Sequence, residues 1–407
     1  MPVQVPPLTI TVGPDSGDFT GATDRALQAG VDYLAAHGGG TLRVLPGTYR
    51  MRNALVLRDN ICVQGSGEDT ILHKEPSTRV KLTRDSDWFD AYFIPEDHSP
   101  YQVGDGVMLM ARHRFEGGCD YHVYRTIIGR DGDKFLIDQQ CNENIWTDHD
   151  ATVVSTHSLI HAEHKHDMMI RDIVLDGNRE HVENLNGNWG AGIFMQNCHD
   201  VHMENVTVRN FNGDGYSWQI VHDVAVINCK SINNANLGLH PGSGSQRPVM
   251  RGNHIENCSL GLFFCWGVVN GIAENNRIIN CQTAGISIGH RDTDNIIRNN
   301  HISGCKQTGI LFREERTPDR CGHRNLVEKN LIEDCGPDEE PVGIAVTSWT
   351  SDLKFFENDI RESRDAGNAV GLRIGKDAGE MDIRNNRFTG FATEIEDLRR
   401  EPAEVKG

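Results

Sequence analysis

The chain has no surplus of positive charge, no long apolar run and only one stretch of helical periodicity. Its 407 residues carry 40 Lys and Arg against 58 Asp and Glu, a formal net charge of -18. That balance excludes a reader of nucleic-acid phosphates, which needs a basic face. It does not exclude an acidic sugar, because a local basic cleft can sit on an acidic body. No stretch approaches the roughly 20 apolar residues of a membrane span, so no membrane partner is expected. The opening MPVQVPPLTITV lacks the basic and long apolar segments of a signal peptide. It fits a cytoplasmic protein or a mature chain with a replacement Met, and localisation stays open between these. An even cysteine count is also missing: there are 11. At least four fall in one regular column, which favours free thiols over a disulfide framework.

What the chain has is repetition. From Gly192 to Gly375 it writes eight times a glycine, an apolar residue, any residue and a second mostly apolar residue: GIFM at Gly192, GYSW at Gly215, GLHP at Gly238, GLFF at Gly261, GISI at Gly285, GILF at Gly309, GIAV at Gly343 and GLRI at Gly371. The glycines are 23, 23, 23, 24, 24, 34 and 28 residues apart. A second column runs in step. Asn253, Asn276, Asn300, Asn330, Asn358 and Asn386 each precede an apolar residue by two, and Cys258, Cys281, Cys305 and Cys335 follow the first four of those by three. Short β-like segments at a period near 23 mean stacked repeats. A parallel β-helix explains both columns: like positions stack about 4.8 Å apart, buried asparagines bond to their copies in a ladder, and the cysteines stack inside as small apolar groups. Glycine, at 42 residues, suits a turn-rich β protein.

Before the repeats, LTITV reads as a strand. Ala26, Leu27, Val31, Leu34 and Ala35 fall at helical spacing between Gly21 and His37, and GGG at 38–40 stops the helix. One amphipathic helix ahead of a solenoid is a cap over its open end. Residues 76–157 break the period and read as a small antiparallel insertion with DGD as a hairpin turn. It either shields the solenoid or forms one wall of a cleft. The expected divisions are 1–75 for the cap and first coils, 76–157 for the insertion, 158–393 for the main solenoid and 394–407 for a charged tail or cap. The polar link 176–192 has the length of a loop that lines a binding face. Extra loops leave after Arg313 and near Gly336. HAEHKHD gathers His161, His164 and His166, but the spacing fits no common zinc motif and reads as a solvated turn.

The segment GGGTLRVLPGTYRMRNALVLRDNICVQGSGEDTIL, with the coils from Gly192 on, resembles the pectin-lyase-like superfamily of right-handed parallel β-helices. The resemblance covers roughly three quarters of the chain. It implies an all-β, right-handed parallel β-helix solenoid with an N-terminal capping helix and a small β insertion. It says little of chemistry, since lyases, hydrolases, esterases, epimerases and phage tailspikes share that scaffold. NGDG, with Asp214, resembles the first aspartate motif of the polygalacturonase-type hydrolases of the superfamily. Their aspartate pair one coil later is replaced by Asn236-Leu237, their Gly-His-Gly coil is not reproduced although His240 lies nearby, and their arginine–lysine strand is replaced by FREE at 312–315. The calcium-binding aspartate cluster of pectate lyases is not evident, so no cofactor is required and calcium has no motif behind it.

Alternation in a strand sends the residues one and three after each glycine inward, and those two and four after it outward. The outward row and its ends hold Gln196, Gln219, His240, Phe263, Trp266, His290, Arg291, Asp292, Arg313, Glu314 and Glu315 within about five coils, or about 20 Å by the spacing of strands. That suits a groove for several sugar units. Aromatic faces would stack, and Gln, Asn and Arg would meet hydroxyls and carboxylates. The expected catalytic set is His240, His290, Asp292, Arg313 and Glu315. The expected substrate contacts are Gln196, Gln219, Asp214, Trp266, Phe263, Arg291, Asp294 and Glu314. Histidine titrates near neutrality and suits a base beside a sugar carboxylate. This leans toward a uronate lyase or epimerase acting on a polysaccharide or oligosaccharide. A glycoside hydrolase working through a pair of carboxylates and a non-catalytic glycan-binding solenoid are the alternatives. Oligomeric state is not written in these residues.

Overall fold

Each coil turns three corners, and the corners account for much of the asparagine and aspartate. Asn257, Asn280 and Asp334, each just before a column cysteine, have φ of 55°, 54° and 51°. Asn275, Asn299 and Asn385, each just before a ladder asparagine, have φ of 56°, 53° and 55°. Short polar side chains that bond locally tolerate this left-handed conformation better than other non-glycine residues. The structure, a computed structural model, describes residues 6–115, 118–365 and 367–399.

Between corners lie three parallel faces. The first, called here the site sheet, has 11 strands, from Leu55–Val56 and Ile160–Glu163 through Ala191–Gln196, Asp214–Gln219, Leu237–Gly242, Leu260–Phe263, Ala284–Ile288 and Thr308–Phe312 to Val342–Val346, Val370–Ile374 and Thr393–Asp397. The second and third faces are joined early on: His166–Asp176 and His199–Arg209 each bend across both, at Asp172 and Asn205. Later coils divide them, as in His222–Ile227 followed by Lys230–Ile232. Thr393–Asp397 pairs in parallel with Val370–Ile374, so the segment expected to begin a tail at 394 starts as one more strand of the site sheet. Residues 400–407 of that expected tail lie outside the described residues.

Two stacks hold the coils in register. Asn276 shows the ladder's pattern. Its Oδ1 accepts from the backbone N–H of Asn253 at 3.0 Å and from Asn253 Nδ2 at 2.9 Å, and its Nδ2 donates to Met250 O at 3.0 Å and Asn300 Oδ1 at 2.9 Å. Both donors and both acceptor positions of the amide are used, so burial leaves nothing unpaired. The pattern runs unbroken to Asn386. Cys258, Cys281, Cys305 and Cys335 are buried, and all 11 cysteines are free. Inward residues of the site sheet, among them Tyr216, Trp218, Phe264, Ile286 and Phe312, fill the core. Burying each large apolar group stabilises the fold by roughly 1.5–3 kcal/mol.

The cap is the helix Asp24–Ala36, whose Leu27, Val31 and Leu34 are buried in the same core as Ile10, Val12 and Leu42. It ends where the Gly39 N–H reaches Leu34 O at 2.9 Å with φ of 114° at Gly39, a conformation open to glycine. The insertion folds as a six-stranded antiparallel sheet from Arg79–Lys81 to Thr152–Val154, with its own core around Phe93, Leu109, Ile127 and Phe135. Gly132 makes the hairpin turn at φ of 57°. Arg52 ties the insertion to the first coils through both oxygens of Asp105, at 2.8 and 2.6 Å.

The insertion and the link 177–190 leave successive coils at the same corner, where the third face returns to the site sheet. They are joined: Arg79 bonds Glu183 through two contacts of 3.1 Å, and the Ser77 N–H reaches His181 O at 2.9 Å. The link then lies along the edge of the coils, with Leu185 buried and bridged to Gly213. This anchoring sets what covers the site sheet.

Candidate active site on the first sheet

Register lines up Phe194, Ser217, His240, Phe263, Ser287 and Leu311 on the outer surface of the site sheet, one per coil. At one end His161 stacks on Phe194, with ring centroids 5.6 Å apart. His161 was not among the expected site residues. It belongs to the strand Ile160–Glu163, three coils before His240, and has no column glycine of its own to mark it.

The centre of the row is built on Asp214, at the start of its strand, and His240 one coil later. Asp214 Oδ2 lies 2.7 Å from His240 Nδ1, while Asp214 Oδ1 accepts the Leu237 N–H at 3.1 Å. Gln219 Nε2 donates to Ser217 Oγ at 3.0 Å, and Ser217 Oγ donates to Gly187 O at 2.6 Å. A carboxylate on Nδ1 places the ring proton there and leaves the lone pair on Nε2. His240 Nε2 is buried and has no hydrogen-bond partner among the described residues. A histidine so held has one nitrogen fixed and the other available as a base. Access is closed, however: Asp214 is 1% and His240 3% exposed. Gly187 sits directly on the Asp214 carboxylate, where a side chain would overlap it. Asp214 and Gln219, expected as open substrate contacts, are therefore internal partners in this arrangement, because the link 177–190 roofs them.

Next along the row stands Phe263, between His240 at 5.4 Å and the Arg313 guanidinium at 4.3 Å. Arg313 lies back over Gly289, which has no side chain to obstruct it. It donates to Ser287 Oγ at 3.0 Å, Phe264 O at 2.9 Å and Asp292 Oδ2 at 3.3 Å. Asp292 also accepts three backbone N–H groups, from Gly267, Val268 and Gly289, at 2.9–3.0 Å. Burial raises its pKa, while Arg313 and the amides pull the other way. The expected role of Asp292 as a catalytic acid needs correction: its oxygens are fully occupied and it is 0% exposed, so it positions Arg313 and the corner.

The open part of the site lies at the ends of these strands. Glu315 Oε2 is 3.3 Å from His290 Nδ1, and the His290 ring packs 5.0 Å from the Trp266 ring. Both partners of the pair keep a minor part of their surface in water, and Trp266 is 60% exposed. Trp266 has φ of 64°, and Ile220, two coils earlier at the same corner and also exposed, has φ of 55°. Bulky residues in the left-handed region are strained by about 1–3 kcal/mol, and such strain concentrates at ligand sites. Trp266 alone of the two packs on His290, and Ser243 stands between it and Ile220 along the corner. Arg291, exposed, pairs with Asp319 at 2.9 Å. Glu314 is exposed and Gln196 half-buried. Asp294 is turned away from substrate contact by Arg324, which takes both its oxygens at 2.8 Å. Cys265 lines the row, and burial pushes its thiol up to about 12, too high for a thiolate nucleophile at neutral pH.

His240 and Arg313 thus share one face, connected through Phe263, while His290 stands two residues past the strand Ala284–Ile288, against Trp266 and Glu315. Tyr216 faces inward, its hydroxyl donating to Val206 O at 2.7 Å. The histidines of HAEHKHD separate: His161 joins the row, His164 pairs with Glu163, and His166 bonds Asp167 and stacks on His199. Among the described residues no three ligand-type side chains gather as a metal site.

Residues 191–360 match the family described as Right handed beta helix region. Among solved structures the chain is similar to the A-module of a mannuronan C-5 epimerase of Azotobacter vinelandii, at 15% identity, covering 94% of this chain and 97% of that one with a TM-score of 0.53. It is similar to a hyperthermoactive exopolygalacturonase of Thermotoga maritima, at 14% identity, 96% and 94% coverage and a TM-score of 0.53. It is equally similar to PfbA, a surface adhesin of Streptococcus pneumoniae, at 14% identity, 94% and 92% coverage and a TM-score of 0.53. No curated protein sequence matches the chain. At such identities the likeness shows the fold alone, a right-handed parallel β-helix, which enzymes and an adhesin share.

Proposed function

We propose that the chain is a carbohydrate-active enzyme that removes the proton beside the carboxylate of a uronate unit, as a polysaccharide lyase or an epimerase. The observation that carries this is the pair of histidines along one sheet, His240 on its outer row and His290 past the end of a later strand, each held at Nδ1 by a carboxylate. In such a reaction the C5–H bond breaks and the proton passes to an imidazole nitrogen. In a lyase the C4–O bond then breaks, C4=C5 forms and the leaving oxygen takes a proton. In an epimerase a proton returns to C5 from the opposite side. His290, open beside the Trp266 ring, suits the base, and Arg291 suits the sugar carboxylate by exchanging its exposed partner Asp319. His240 suits the second proton-transfer group once the Gly187 roof is displaced. The likeness to a mannuronan C-5 epimerase and an exopolygalacturonase supports an acidic polysaccharide as substrate. A glycosidase pair has less support, because Asp292 is saturated and Asp214 and Glu315 each hold a histidine.

One observation favours a second reading, a non-catalytic glycan-binding solenoid: His240 is sealed under Gly187, and an adhesin has the same fold. One experiment separates these readings. Polymannuronate, polyguluronate and polygalacturonate are incubated with the protein in deuterium oxide. Deuterium at C5, from an epimerase, or the ultraviolet absorbance of a C4=C5 unsaturated end, from a lyase, is the expected result, and His290→Ala abolishes it. New reducing ends with neither C5 deuterium nor the absorbance of an unsaturated end would mean hydrolysis, and binding without any of these changes would mean the non-catalytic reading.

A further inference from the structure

A polar groove of about 710 Å³ runs along the corner where the third face returns to the site sheet. It lies off the histidine row. Asn210, Asn233, Asn257 and Gln282, from four consecutive coils, line its floor, and Arg179 and His181 of the link 177–190 overhang it. Asn257 Nδ2 donates to Asn233 Oδ1 at 3.1 Å, and Arg179 Nη1 donates to Asn233 O at 3.1 Å, so the floor is ordered and the overhang is fixed to it.

The lining tells what would bind. Amides set side by side present a donor and an acceptor together, the pattern that meets neighbouring hydroxyls. Glu180 at the rim offsets Arg179, so the groove does not select a strong anion. Among the described residues no Phe, Tyr or Trp lines it, so a sugar would lie mainly by its edges, with the His181 imidazole the one ring at hand. Four coils span about 14 Å at the strand spacing, and one amide recurs per coil. The single link 177–190 both overhangs this groove and, through Gly187, roofs His240. We infer that the corner groove is a second glycan-binding subsite, holding an extended, hydroxyl-rich stretch of oligosaccharide away from the histidines. This rests on the glycan reading above.

The test is calorimetric titration with three probes, the tetramers of mannuronate, of galacturonate and of glucose. The parent is compared with Arg179→Ala/Asn257→Ala, with the groove-filling variant Gln282→Trp and with Lys354→Ala, an exposed position on the strand Leu353–Phe356 away from both sites. Binding of at least one tetramer to the parent is expected. Both groove variants should weaken it tenfold or more, while Lys354→Ala stays within about twofold of the parent. Two differently designed groove variants guard against misfolding, and each is checked for an unchanged melting temperature. If a tetramer binds the parent and both groove variants alike, the subsite is overturned and the proposed function still stands. If no tetramer binds the parent, the glycan reading falls and the subsite with it.

Discussion

Gly187 rests against Asp214 so closely that a methyl group on its α-carbon would overlap Asp214 Oδ2. Its carbonyl meanwhile accepts the Ser217 hydroxyl at 2.6 Å. The roof over His240 therefore depends on one absent side chain. Gly187→Ala should lift the link from the site sheet. Limited proteolysis read by mass spectrometry should show cleavage within 177–190 several-fold faster than in the parent. Global stability should fall by only about 1 kcal/mol, since one hydroxyl–carbonyl bond is lost. An unchanged cleavage rate would show that the roof does not rely on this contact.

Asp292→Asn should be costly although the two side chains have the same shape. The carboxylate takes three backbone N–H groups and Arg313, and an amide would turn a donor toward some of them. Breaking such a buried, paired charge costs about 3 kcal/mol or more. Urea titration measures this. A variant as stable as the parent would mean that the carboxylate is not needed to hold Arg313.

Asn300→Ala should cut the ladder in its middle. It leaves the Asn276 N–H, one Asn276 Nδ2 proton and the Ala273 carbonyl without their buried partners, while Asn330 Oδ1 keeps only the backbone N–H of position 300. The expected loss is about 2–4 kcal/mol. Calorimetry should show a broader transition if the coils on the two sides then melt separately.

Lys74 is fully buried, donates to His157 O and has the Phe211 ring 5.4 Å from its amine. Burial lowers its pKa from 10.5 to about 7. Below pH 7 the folded and unfolded chains both hold the proton, and the cost of a buried ammonium is full. Between about 7 and the unfolded value near 10.4, the unfolded chain holds a proton that the folded chain has shed. Stability should therefore rise with pH across that window, by on the order of a few kcal/mol. Lys74→Met should be more stable than the parent at pH 7, and the advantage should shrink toward pH 10. Denaturant titrations of both proteins across that range test it.

Much of the fold could be read from the residues because stacking is written as a period. A glycine every 23 or 24 residues, with asparagine and cysteine in step, leaves little choice of architecture, and the inward and outward positions follow from alternation. The site was less legible. Asp214 and His240 sit 26 positions apart and become partners only through the coil register. The signal was present, since both flank column glycines one coil apart, but nothing in one dimension says that a carboxylate will turn toward an imidazole. Asp292 looked like a free acid because its partners are backbone amides, which every residue carries. The roof escaped notice for a similar reason: the contact of Gly187 with Asp214 depends on how a long polar link is pinned by Arg79–Glu183 and Leu185–Gly213.

The buried free cysteines make this protein its own unfolding gauge. Cys198, Cys229, Cys258, Cys281, Cys305 and Cys335 are spaced along the stack and closed to solvent. A thiol reagent added during partial denaturation would mark the turns that have come apart and spare those still wound. Peptide mapping of the marks would then show from which end the spiral unravels, without a single engineered label.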